Sequence, residues 1–186
     1  VSRNRTADLL RAALVAALVA IGALIALPLG PVPMTLQVLV VAVATLVLSP
    51  AEALLAMVLY VALGAIGMPV FSGGGAGVGV LVGPTGGFIL GFVLGAPAGA
   101  RVRVALERRD GVRGGHRQVI ADAAALAVLL VCVYMLGWAG FAISTGRAAG
   151  EAFGLAVAPF VLVDAVKCAV ALPVARAVRA ALPLRA

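Results

Sequence analysis

An all-α integral membrane protein of six transmembrane helices, with both termini cytoplasmic, is the fold class that three features of the sequence predict. Of the 186 residues, 64% are hydrophobic and only 11% charged, with a mean hydropathy of +1.21. A soluble domain carries about 45–50% apolar and about 25% charged residues. The apolar residues also fall in nearly uncharged runs of roughly 15–25, the length that crosses a hydrocarbon core. Finally, the arginines cluster in three places that an even number of spans puts on one side of the membrane.

The first span is expected from about Asp8 to Leu27 and stops at "LPLGPVP", where three prolines forbid a continuous helix. Arg3, Arg5 and Arg11 precede it in the manner of a cleavable leader. The apolar stretch from about Ala12 to Leu29 is longer than a leader core, so it is read as a retained helix. The second span covers about Thr35 to Leu48 and ends at Ser49-Pro50; the third runs from about Ala51 to Gly67 and ends at Met68-Pro69. Both are short for a thickness that needs about 20 residues, so they tilt little or leave their ends in a cavity. The remaining spans are placed at about Thr85 to Leu106, Val119 to Phe141 and Ala152 to Ala175, in a single membrane domain covering residues 1–186.

Charge tests this division. Arg3, Arg5 and Arg11 precede the first span, and Arg101, Arg103, Arg108, Arg109, Arg113 and Arg117 lie at or between the fourth and fifth. Arg176, Arg179 and Arg185 follow the sixth, and the opposite face holds only Arg147. The positive-inside rule makes the arginine-rich side cytoplasmic. The net charge of +7 therefore reports orientation and contact with anionic lipid, with no nucleic-acid partner. "RVRVALERRDGVRGGHRQ" reads as a solvated cytoplasmic connection, and His116 within it as a solvated histidine. Cys132 and Cys168 sit inside apolar runs and read as small buried side chains.

On the opposite face, "PVFSGGGAGVGVLVGPTGG" is glycine-rich yet apolar. It is either a re-entrant loop or lid buried against protein or a simple flexible loop. It carries no Gly-Lys-Ser/Thr and no G-x-G-x-x-G spacing. Lys167 is the one lysine of the chain, so there is no phosphate-loop lysine and no ATPase motif. With a lone histidine and no serine or cysteine beside a base, the chain is not read as an enzyme and needs no cofactor.

Asp164 and Lys167 lie well inside the sixth span, where each charge costs about 2.5–3.5 kcal/mol at a helix centre. Three residues apart, they share one helical face and partly neutralise each other. Two readings stay open: an ion pair that ties the sixth span to its neighbours, or a polar site facing a cavity. For the latter, a carboxylate accepts from N–H donors and an ammonium donates to a carbonyl or carboxylate. With no second carboxylate or histidine read beside them in the spans, a metal is not expected. Thr35, Gln37 and Thr85 are polar candidates at span ends, either for a ligand or for capping helix termini. Ala12, Ala16 and Ala20 repeat small residues every four positions, a docking surface for another membrane subunit or a chance product of an alanine-rich chain.

Four segments carry a resemblance. "GPVPMTLQ" (Gly30 to Gln37), "YVALGAIGMPVFSGG" (Tyr60 to Gly74), "GPTGGFILGF" (Gly83 to Phe92) and "PFVLVDAVK" (Pro159 to Lys167) resemble, in that order, the BioY family. These are the biotin-binding S components of energy-coupling factor (ECF) transporters. The resemblance implies an S-component fold and high-affinity biotin uptake across the bacterial cytoplasmic (inner) membrane. It implies as partners a transmembrane coupling subunit and two ABC ATPase subunits. It also implies that Asp164 and Lys167 help to hold biotin, and that Gly83, Pro84, Thr85, Gly86 and Gly87 form the turn that shapes the pocket. Phe88 stands where many members carry tyrosine, so no hydroxyl contact is expected there. An S component for another vitamin and an ion-coupled secondary transporter are the alternatives.

Overall fold

The structure, a computed structural model, describes residues 5–28, 30–110 and 115–181. Arg3, Arg113 and Arg185, counted above for orientation, lie outside the described residues. Helix α1 (Arg5–Leu24) leads into a short antiparallel ribbon, β1 (Ala26–Leu27) with β2 (Met34–Thr35). Then come α2 (Gln37–Val47), α3 (Pro50–Ala65), a 3-10 turn at Ser72–Gly74, α4 (Val78–Val82), α5 (Gly86–Asp110), α6 (Gly115–Thr145), α7 (Ala149–Ala156) and α8 (Ala158–Ala181). Among the described residues, four stretches are long and apolar enough to cross a membrane: Arg5–Leu24, Gly86–Arg108, Gly115–Thr145 and Ala149–Ala181. Gln37–Val47 and Pro50–Ala65 are shorter apolar helices.

Three local features depart from the expected outline. The two ends of the proline-rich stretch after α1 pair as a ribbon, Ala26 with Thr35 and Leu27 with Met34. The last apolar run is two helices, because the backbone of Val157 leaves helical geometry (φ −124°, ψ −55°). The segment expected to be a solvated connection is mostly helix, with α5 continuing to Asp110 and α6 starting at Gly115.

Packing follows the rule for helices in lipid, where small residues turn inward so that backbones can approach. On α1 the buried side chains are Ala12, Ala16, Val19 and Ala23, facing α3, while Leu10, Leu14 and Ile21 stay exposed. This corrects the docking expectation: Ala12 and Ala16 are buried within the chain and Ala20 is half-buried, whereas Ala13 and Ala17 are the exposed alanines. The longest contact joins α5 and α6. Along it Gly87, Gly91, Gly95 and Gly99 face the α6 backbone at Leu136, Val133, Leu129 and Ala125.

One end of the bundle is sewn together by ions. Arg11 Nε donates to Glu52 (2.7 Å), and Glu52 forms a capping box with Ser49 at the start of α3. Arg103 donates to Glu107 (3.0 Å) and to the Leu48 carbonyl (3.2 Å), and Gln118 bridges Glu107 to Asp122. Arg179 grips the fully buried Asp122 with two bonds (3.0 and 2.7 Å) and reaches the Leu46 carbonyl (3.1 Å). Two arginines thus satisfy carbonyls left open at the C-terminal end of α2. Arg11, Arg103 and Arg179 act within the chain, so the basic excess is not all available to lipid. Glu52, unassigned by sequence reading, is a buried carboxylate.

Candidate functional site

The opposite end of the bundle, where α2 and α8 begin, holds a partly open cavity. Its polar rim draws on several elements: Thr35 from β2, Gln37 from α2, Ser72 from the 3-10 turn, Thr85 before α5, and Asp164 and Lys167 from α8. Its apolar walls come mainly from Phe88, Ile89 and Phe92 of α5, Val133 of α6 and Phe160 of α8. A concave apolar surface with a few convergent polar groups is the form of an orienting site for an amphipathic ligand.

The centre of the site is an ion pair with unused capacity. Lys167 Nζ donates to Asp164 Oδ1 (2.7 Å) and to the Thr35 carbonyl (2.8 Å). Tyr134 of α6 donates its hydroxyl to Asp164 Oδ2 (3.0 Å). Asp164 and Lys167 are 2% and 8% exposed, so both charges sit in a low dielectric, where a missing partner is costly. An ammonium has three donors and each carboxylate oxygen two lone pairs. Among the described residues, one Lys167 proton and one lone pair on each Asp164 oxygen therefore stay available for a third party.

Beside this pair, Thr35 Oγ1 donates to Gln37 Oε1 (3.1 Å) and accepts from the Gln37 backbone N–H (3.3 Å). Gln37 Nε2 donates to the Tyr60 hydroxyl (2.7 Å). Thr35 thus takes a backbone N–H at the start of α2 and also lines the cavity. The Thr85 carbonyl takes the N–H groups of Phe88 (3.1 Å) and Ile89 (3.3 Å), and its side chain borders the cavity.

The glycines of "GPTGG" act differently from the polar candidates. Gly86 and Gly87 are buried, and a Cβ at either would collide with the carbonyl of Leu81 or Leu136, respectively. They let backbones approach and so set the position of the α5 wall. Gly83 is half-buried and Pro84 exposed, and neither lines the cavity. Sequence reading missed Tyr134, Ser72, Phe92 and Phe160. The one available signal for Tyr134 is that it is one of two tyrosines and lies mid-span in a run otherwise apolar.

The BioY family profile matches residues 1–184. The chain is 38% identical over 163 residues to the "Probable biotin transporter BioY" of Pyrococcus horikoshii, covering 88% of this chain and 90% of that one. It is 36% identical over 185 residues to the "Biotin transporter BioY" of Rhizobium etli, covering 96% of each. Among solved structures, the S-component for biotin from an ECF-type ABC transporter superposes with a TM-score of 0.82 at 21% identity. That match covers 96% of this chain and 95% of the other. It shows a shared fold.

Proposed function

The chain belongs to the BioY family, and on that premise we propose that it captures biotin and serves its uptake as the substrate-binding subunit of an ECF-type ABC transporter. The observation that carries the reading is the half-spent Asp164–Lys167–Tyr134 cluster at the edge of an aromatic-walled cavity. Biotin offers two ureido N–H donors and a carbonyl on an apolar bicycle, with an anionic tail. Asp164 accepts from the ureido N–H groups, using the lone pairs that Lys167 and Tyr134 leave open. The free proton of Lys167 goes to the ureido oxygen or to the carboxylate. Phe88, Phe92 and Phe160 hold the bicycle. Thr35, Gln37 and Thr85 supply the remaining polar contacts, while Gly86 and Gly87 set the α5 wall and Gly83 and Pro84 belong to the turn that leads into it.

The proposed topology is six crossings with both termini cytoplasmic. Supporting it, the starts of α1, α3 and α6 and the ends of α2, α5 and α8 meet in one ionic layer. With no phosphate-loop lysine in the chain, ATP hydrolysis belongs to two ABC ATPase subunits. A transmembrane coupling subunit joins them to this chain and meets the outward face of α1, where Ala13 and Ala17 lie exposed.

Calorimetric titration of the purified chain in detergent tests the core of the proposal. Biotin is expected to give saturable one-to-one heat, and a chemically unrelated vitamin such as thiamine none. Silence with biotin would overturn the reading.

A further inference from the structure

We propose that Ser72 is a ligand-contacting residue that helps set specificity, donating its hydroxyl proton to an acceptor oxygen of the bound molecule; this rests on the biotin reading above. Ser72 borders the same cavity as Asp164 and Lys167. Its Oγ is buried and, among the described residues, has no hydrogen-bond partner. A hydroxyl shut away from water without a partner is disfavoured, and native structures keep few of them without a reason. Ser72 lines the cavity, and a turn of its side chain about χ1 carries the hydroxyl from this closed position to the molecule that enters.

The backbone on either side of Ser72 is held in place. The preceding residue, Phe71, is fully buried, with its ring edge-on to Tyr60 (centroids 5.5 Å apart, 83° between planes). It fills a notch that exists because residue 64 is glycine; a Cβ there would overlap the ring. Gly74 N–H donates to the Phe71 carbonyl (2.9 Å), and Gly75 N–H to the Ser72 carbonyl (3.3 Å). Gly73 (φ 65°) and Gly74 (φ 82°) adopt the left-handed conformation that closes this tight turn. Tyr60 also receives the Gln37 side chain. The Phe71 anchor therefore ties the position of Ser72 to the same framework that carries Gln37 at the cavity. A backbone preorganised in this way need not be ordered on binding.

Titration of wild type and Ser72→Ala with biotin and with biotin methyl ester, together with the melting temperature of each protein without ligand, tests the assignment. Ser72→Ala is expected to weaken biotin about tenfold, the weight of one buried hydrogen bond. Its ligand-free melting temperature should equal or exceed that of wild type, because the substitution removes an unpaired hydroxyl. A loss confined to biotin assigns the anionic carboxylate, and a loss seen with both ligands assigns an oxygen that the ester keeps; both support the contact. Wild-type affinity in Ser72→Ala would overturn it, as would a fall in ligand-free stability large enough to account for the loss. Failure of wild type to bind biotin is a distinct result: it would remove the biotin reading and this contact with it.

Discussion

Asp164 and Lys167 are separable as a structural pair and as a site, because the two roles respond differently to removing one charge or both. Each side chain is buried, so Asp164→Asn leaves an ammonium, and Lys167→Ala a carboxylate, without its counter-charge. Breaking a buried pair on one side costs about 3–5 kcal/mol, whereas replacing both members by neutral groups is often tolerated. Both single variants are therefore expected to melt earlier and to bind biotin at least a hundredfold more weakly. The double variant Asp164→Asn/Lys167→Met should regain most of the lost stability while binding stays lost. Recovery of biotin binding in the double variant would reduce the pair to a staple. Tyr134→Phe is a milder probe that removes a bond to Asp164 (3.0 Å) and should weaken biotin about tenfold. The charges were legible in the sequence because ionisable residues in an apolar span stand out by cost alone. Ser72 and Tyr134 did not stand out, since a hydroxyl and a phenol fit an ordinary core, and only burial, partnership and a shared cavity give them roles.

At the scale of elements, the α5–α6 contact depends on side chains that are absent. A Cβ at Gly91 would come within 2.6 Å of Val133 Cα, and one at Gly95 within 3.0 Å of the Leu129 carbonyl. Neither backbone can yield without moving the helix. Gly91→Ala is expected to destabilise the protein by about 1–3 kcal/mol, the usual cost of overpacking, visible as a lower melting temperature. Gly150→Ala is the control: nothing lies within 4 Å of its Cβ position in α7, so stability should hold or rise slightly, as for Gly→Ala in an open helix position. Equal behaviour of the two variants would refute the contact. This glycine repeat was on view in "GGFILGFVLGAPAGA", but small-residue spacing alone does not say which helix is opposite. The same ambiguity misdirected the reading of α1, where Ala12 and Ala16 follow the docking spacing yet pack inward. Helix presence was legible from runs of hydrophobicity. The break at Val157 and the β1–β2 ribbon were not, since hydropathy does not encode backbone breaks; the signal for the first was Pro159 at the start of α8.

Over the whole molecule, two polar layers lie at opposite ends of the bundle, and α8 belongs to both. Lys167 reaches the Thr35 carbonyl just before α2, and Arg179 reaches the Leu46 carbonyl near its end. These two anchors lie about 18 Å apart along α8 at 1.5 Å per residue, so α2 and α8 run side by side in the same direction. The ionic layer gathers the starts of three helices and the ends of three others. In the proposed topology the chain returns to the same side after every second pass, and the positive-inside rule, applied to the flanking arginines, would make that side cytoplasmic. Cysteine accessibility in intact cells tests the arrangement, in a background carrying Cys132→Ala and Cys168→Ala to remove both native thiols. The probed positions, Arg147 and Arg176, flank α7 and the end of α8. A membrane-impermeant maleimide should label the Arg147→Cys variant in intact cells, and Arg176→Cys only after the membrane is opened. Labelling of both from outside would contradict an odd number of crossings between them. Labelling of Arg176→Cys alone would invert the orientation and place the biotin cavity on the wrong side for capture.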